Sequence, residues 1–264
     1  DLEYMIDTDN HTGSAAQDVY IDGHQFRNHT ATYNETPSHT ESWAGRTASG
    51  QAVTDNKLTV SGGTITTAAY GGLVINNKPS AMTGDAEKNT VAVTGGSVAD
   101  AYGAQVRTKA GSASENTAKI SGGTVSHVYG ASLTAAGATG SVTKSRVDVT
   151  GGAVTGDVYG GQIVDTGATG SVTESRVDIT GGSVGGNIYG GRTNGSGDAK
   201  DNTVNITGGT LHDVYGGFAQ AGKTTGNTVN LGDGEHSLAA GTNITGTIHG
   251  GNKADATDNT LNIN

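Results

Sequence analysis

Cysteine is absent from this 264-residue chain, and proline occurs only twice. Without cysteine there can be no disulfide, no thiolate metal site and no cysteine nucleophile. So little proline excludes collagen and a proline-rich linker. Aromatic residues make up 5% and apolar residues 33%, too few for an ordinary compact globule. Nowhere is there a run of about 18 apolar residues, so no direct insertion into a bilayer is expected of these residues. Cations are scarce as well: 15 Lys and Arg stand against 25 Asp and Glu, for a formal charge of −10. Nucleic acid is therefore not expected as a partner, because phosphate binding needs clustered Lys and Arg. There is no initiator Met before Asp1 and no signal-peptide pattern after it, so the expectation is a processed segment.

What the chain does have is glycine and repetition. Its 45 glycines are roughly 17% of the residues, against about 7% in an average protein. One phrase recurs: a short alternating strand, Ser/Thr-Gly-Gly, a second strand, then Tyr-Gly-Gly. The first half reads LTVSGG (58–63), VAVTGG (91–96), AKISGG (118–123), VDVTGG (147–152), VDITGG (177–182) and VNITGG (204–209), with VNLGDG (229–234) a degenerate copy. The second half reads AYGG (69–72), AYGA (101–104), VYGA (128–131), VYGG (158–161), IYGG (188–191), VYGG (214–217) and IHGG (248–251). Tyr70, Tyr102, Tyr129, Tyr159, Tyr189 and Tyr215 are spaced 32, 27, 30, 30 and 26 residues apart. Trp43 and His249 occupy the equivalent places before and after them. NTLNIN (259–264) reads as the opening of a further copy.

Within each copy the apolar period is two, the signature of a strand with one buried face. Glycine pairs follow the strands, where a sharp corner favours positive φ. The expected fold is all-β: a parallel β-helix of about 7–8 coils of about 30 residues, a thin core stacked at about 4.8 Å per coil. Coil length favours a right-handed winding. Residues 1–50 are expected to form an N-terminal cap or first coil with VYIDG (19–23) as its strand and 24–42 as an inserted loop. Residues 51–264 are expected to form the repetitive helix, stopping within a further repeat.

Several columns have direct physical readings. Aliphatics at 91/93, 147/149, 177/179 and 204/206 should stack as core. Asn89, Asn116, Asn202, Asn227 and Asn259, with Ser145 and Ser175, should form an amide ladder at one turn. GATGSVTKSRVDVTGG (137–152) and GATGSVTESRVDITGG (167–182) differ at two positions, one of which sets Lys144 beside Glu174 as an exposed pair.

The phrase N-T-V-x-I-S/T-G-G-x-V-x-x-V-Y-G-G, over about residues 55–264, resembles repeats in passenger regions of Gram-negative autotransporter (type V secretion) proteins. That resemblance implies a β-helical passenger displayed extracellularly at the bacterial cell surface. It would be anchored in the outer membrane through a C-terminal barrel that these residues do not contain. It further implies a non-catalytic adhesin involved in attachment, virulence or biofilm formation. The expected partners are a host-cell surface protein or glycan, or further copies of the chain through self-association.

The candidate ligand-binding residues are Trp43, Tyr70, Tyr102, Tyr129, Tyr159, Tyr189, Tyr215 and His249. Each tyrosine follows an aliphatic residue, and neighbours in a strand face opposite ways, so inward aliphatics would turn the rings outward. A stripe of exposed rings suits sugar faces. The competing structural reading is a ladder of rings beside the glycine corners. A carbohydrate-active enzyme, a lyase or glycosidase, is the alternative from another class and needs a pair of carboxylates. Asp148 with Asp178, and Asp157 with Asp213, recur at repeat positions, whereas a specialised site breaks the repeat. A structural spacer is the third reading. His11, His24, His29 and His39 lack metal-ligand spacing, and neither a metal nor another cofactor is expected. The loops 73–88, 104–115, 192–201 and 235–247 vary most between copies and are further binding candidates.

Overall fold

A computed structural model describes residues 26–28, 30–34, 38–47, 50–76, 83–232, 238–252 and 256–264. They form a parallel β-solenoid of about seven turns, as the repeat predicts. The strands lie in three sheets of 8, 9 and 12 strands, each running the length of the array. The first sheet is built from two-residue strands such as Ala113–Ser114, and the second from four-residue strands such as Thr117–Ile120. The third contains the long strands, including Thr124–Leu133, with the aromatic column at its middle.

Register is set by the repeat. Ala118 pairs with Val91 below and Val147 above, and Ile120 with Val93 and Val149. Along the third sheet the pairing runs Trp43, Tyr70, Tyr102, Tyr129, Tyr159, Tyr189, Tyr215, His249. A slip of one residue would turn every core side chain outward, so burial holds this register.

The interior has two apolar columns. One gathers Val91, Val93, Ala118, Ile120, Val125, Val128 and their equivalents from the second and third sheets. The other gathers Ala104, Val106, Ala113, Leu133, Val142 and Ile163 from the first sheet and the far part of the third. Between them stands the asparagine column, facing in several coils the glycine two residues beyond the aromatic: Asn89 against Gly72, Asn202 against Gly191. The expected amide ladder is present and begins one copy earlier, at Asn56. Asn56 Nδ2 donates to Asn89 Oδ1 at 2.8 Å, and Asn89 Nδ2 to Asn116 Oδ1 at 3.0 Å. Above the serine coils it resumes, with Asn202 Nδ2 to Asn227 Oδ1 at 2.9 Å and Asn227 Nδ2 to Asn259 Oδ1 at 2.8 Å. Each Nδ2 also reaches a backbone carbonyl, as Asn202 does to Val172 O at 3.1 Å. All but the half-buried Asn259 are fully buried, and paired this completely they satisfy the corner backbone as well as themselves.

The segment 24–42, expected as an inserted loop, is corrected over its described residues. Thr30–Tyr33 pairs with Lys57–Val60, and His39–Thr47 pairs with Thr64–Val74 with one register shift after His39, so these strands already belong to the stacked sheets. Its alternation is disguised: Ala31 and Tyr33 take the places that aliphatics fill elsewhere, and the Tyr33 hydroxyl donates to Thr64 O at 3.2 Å. The expected strand at 19–23 and His11, His24 and His29 lie outside the described residues.

Candidate functional site

The aromatic column begins with a bend. Val128 points into the first apolar column and Tyr129 to the opposite side, then Ala131 turns inward again towards the second column. Gly130 absorbs the change of face. Any Cβ there would collide with the carbonyl oxygen of Gly160 in the next coil, and Gly160 stands in the same relation to Gly190. Glycine after the aromatic is therefore a requirement of coil-to-coil approach.

The rings do face away from the aliphatic column, yet from Trp43 to Tyr189 they are not displayed. Trp43 is 8% exposed, Tyr70 1%, Tyr102 7%, Tyr129 9%, Tyr159 4% and Tyr189 5%, while Tyr215 is half-buried and His249 exposed. The expectation of an outward stripe of ring faces is corrected. Alternation fixes the side of the sheet, but rings one coil apart cover each other. Tyr102 and Tyr129 stack with centroids 4.3 Å apart and 6° between planes, and Tyr129 and Tyr159 at 5.0 Å and 6°. The stack continues through Tyr189 and Tyr215 to His249, the last step at 4.9 Å. Phe218 closes one side, edge-on to Tyr189 and Tyr215.

The hydroxyl edges are held by two flanking rows. Two residues before the rings, Asp157 accepts from the Tyr159 hydroxyl at 2.7 Å and Asp100 from Tyr102 at 3.2 Å. On the other flank Arg107 donates to the Tyr70 hydroxyl at 2.9 Å and Arg192 to Tyr159 at 3.2 Å. Arg46 lies over Trp43 at 4.7 Å, and Arg192 over Tyr189 at 5.1 Å. Burial, reinforced by neighbouring carboxylates, raises the hydroxyl pKa of Tyr102 and Tyr159 well above the usual tyrosine value. The hydroxyls are protonated hydrogen-bonding groups at neutral pH, unsuited to nucleophilic work.

The carboxylate pairs considered for catalysis fall on adjacent or alternate coils and carry donors. Asp157 also accepts from the Asn187 backbone N–H at 2.7 Å, and Asp213 from Thr247 N–H at 2.7 Å, which holds Asp213 below the usual carboxylate pKa. His127 Nδ1 lies 3.1 Å from Asp100 Oδ1. His39 packs edge-on against Tyr33 at 5.2 Å. Among the described residues no three His, Asp or Glu side chains converge as metal ligands.

A second surface was not anticipated. The outer face of the second sheet carries two depressions, of 540 and 390 Å³, that share Arg146, Asp178 and Thr180. Most coils present Thr followed by Ala, Lys or Asn at the outward positions, whereas two successive coils present Arg146 with Asp148 and Arg176 with Asp178. Asp178 is almost completely buried and accepts from Arg176 Nε at 2.7 Å, Arg146 at 2.9 Å and Asn205 Nδ2 at 2.7 Å. Asn230 donates to Asn205, and Asn262 to Asn230, each at 2.7 Å. The signal in the sequence is the change from TVNI to RVDI at outward positions, which looks like a variation of the repeat until the sheet brings the two arginines side by side.

No family model matches the sequence, and comparison with curated proteins and with solved structures returns no match. The class that the fold defines is a parallel β-solenoid repeat protein.

Proposed function

We propose that this chain is a surface-displayed adhesive rod, the passenger part of a bacterial autotransporter-like adhesin that attaches to host cells or glycans or to further copies of itself. The observation that carries the reading is the coil register. The aromatic column runs in step along the array, and the asparagine column does so in all but its two serine coils, giving a stiff shaft whose outer face repeats hydrogen-bonding groups such as Thr203 with Asn205 and Thr228 with Asn230. Such a shaft suits multipoint attachment, in which many weak contacts sum.

Binding fits the chemistry better than catalysis does. Asp178 is saturated by two arginines and an amide, and Asp157 by a hydroxyl and a backbone N–H, so both serve as fixed acceptors. In this reading the chain lies outside the cell, held at the outer membrane by a barrel beyond these residues.

The test is binding of the purified chain to epithelial cells and to a glycan array, with analytical ultracentrifugation for self-association. Saturable binding to cells or glycans, or concentration-dependent dimers, is the expected result. A chain that stays monomeric and binds neither is a spacer, and the adhesive reading falls.

A further inference from the structure

We propose that the trough on the outer face of the second sheet, centred on Arg146 and Arg176, binds a linear polysaccharide bearing carboxylate or sulfate groups. The inference rests on the adhesive reading and gives it a site and a ligand class.

Charge is the first argument. The two depressions are lined by three cations, Lys119, Arg146 and Arg176, and two carboxylates, Asp148 and Asp178. This is a locally positive strip on a chain whose formal charge is −10. General attraction for polyanions is thereby excluded, and an acidic ligand has one face to prefer.

Specialisation is the second argument. The fold does not need an arginine with an aspartate here, since the neighbouring coils build the same sheet with Thr117 and Lys119 or Thr203 and Asn205. Arg146 and Arg176 are register partners, so two guanidiniums stand one coil apart. Asp178 lies between them and accepts from both, which relieves their repulsion and fixes their inner edges. Their side chains remain 47% and 52% exposed and line the trough, Arg146 with its Nε also held by Asp148. Guanidinium forks match carboxylate and sulfate oxygens in pairs of hydrogen bonds.

Preorganisation is the third. Asn262, Asn230 and Asn205 form a one-way chain of amide hydrogen bonds that ends on Asp178, so their orientations are set before any ligand arrives. Thr180, Thr203 and Thr207 add hydroxyls along the same depression. These groups recur at about 4.8 Å per coil, a step comparable with one pyranose of an extended chain. The acidic group would sit between the two arginines, and the hydroxyls of adjacent sugars would meet the amides and threonines. Little side-chain entropy is lost on binding such a surface.

Isothermal titration with three hexasaccharides tests this: oligogalacturonate for carboxylate, heparin-derived for sulfate, and cellohexaose as the neutral chain. At least one acidic ligand should bind, about tenfold or more tighter than cellohexaose, and more weakly as salt rises. The double variant Arg146→Gln/Arg176→Gln should lose about tenfold or more of that affinity with its circular dichroism unchanged. Thr180→Tyr, which fills the trough and leaves every charge in place, should lose it too. Equal affinity for neutral and acidic chains overturns the proposal, as does undiminished binding by both variants. If the double variant still attaches to cells as the parent does, the trough is wrong and the adhesive reading stands. If the variants abolish dimers but no acidic sugar binds, the face belongs to a protein partner, which also overturns it.

Discussion

At the corner before each Asn or Ser of the interior column from Asn56 to Asn259, the backbone turns left-handed, in all but one coil at a residue that is not glycine. Asp55, Lys88, Glu115, Lys144, Glu174, Asp201 and Asp258 all have φ between 53° and 58°, while Gly226 fills the equivalent place in one coil. For an L-residue this region costs about 1–2 kcal/mol. The corner tolerates that cost because the next residue is locked: Ser175 N–H donates to Asn202 Oδ1 at 2.9 Å, and Asn202 N–H to Asn227 Oδ1 at 3.0 Å. Replacing Glu174 by glycine removes the strain but adds freedom to the unfolded chain, so the urea midpoint should stay level or rise slightly. Glu174→Val should lower stability by about 1–2 kcal/mol, because a β-branched side chain tolerates this region worst. Asn202→Ala leaves Ser175 N–H and Val172 O without their partners, each worth about 1–3 kcal/mol when buried and unsatisfied, and the same denaturation experiment should show it. The amide column was legible from sequence because Asn-Thr recurs at a fixed distance before each strand. The strained corner was not, since Asp, Lys and Glu share no chemistry that marks a left-handed residue. Lys144 beside Glu174 was legible too, and the pair closes at 3.8 Å on the exposed side of these corners.

Among the elements, the long strands of the third sheet depend most on what stacks along them. Tyr159 is sandwiched between Tyr129 and Tyr189, its hydroxyl donating to Asp157 and accepting from Arg192. Tyr159→Ala should cost about 3–5 kcal/mol, the range for emptying a large buried aromatic site, and Tyr159→Phe about 1 kcal/mol. The ladder also sets a pH limit. In the unfolded chain tyrosine ionises near 10, whereas burial raises the folded-state values of Tyr70, Tyr102, Tyr129, Tyr159 and Tyr189. Above about pH 10 the unfolded chain therefore binds fewer protons than the folded one, and stability falls as pH rises. Urea midpoints should be unaffected by these groups from neutral pH to about 9 and drop beyond about 10, with tyrosinate absorbance appearing together with unfolding. Titration of all the rings near 10 without unfolding would show that they are not buried. Sequence alternation located this column to the residue and gave the correct side of the sheet. It could not report exposure, because covering comes from residues about 30 positions away, through stacking distances that no single strand encodes. The acidic and arginine rows beside the rings were hidden for the same reason: Asp157 and Arg192 are far apart in sequence and meet only at the Tyr159 hydroxyl.

For the molecule as a whole, each coil touches chiefly the coils above and below, so stability should behave as a sum of coil and neighbour terms. The nearly verbatim stretches 137–152 and 167–182 allow this to be tested by excision. Removing residues 138–167 joins Gly137 to Ala168 and takes out 30 residues, the spacing of Tyr129 from Tyr159. In the parent, Val142 pairs with Val172, Val147 with Val177 and Tyr159 with Tyr189, so the lost core and ladder side chains have counterparts of the same kind waiting in register. Ala118 would meet Val177 in place of Val147, and Tyr129 would stack on Tyr189 in place of Tyr159. The shortened chain should keep the circular dichroism of the parent, be shorter by about 4.8 Å in solution scattering, and unfold at a somewhat lower urea concentration. Aggregation or loss of β signal would mean that the coils are not interchangeable. The excision also removes Arg146 and Asp148 while retaining Arg176 and Asp178, so the paired guanidiniums become one. Affinity for the acidic hexasaccharide should then fall as in Arg146→Gln/Arg176→Gln even though the fold survives. That outcome would separate what the repeat supplies, which is length and stiffness, from what two of its coils add by departing from it.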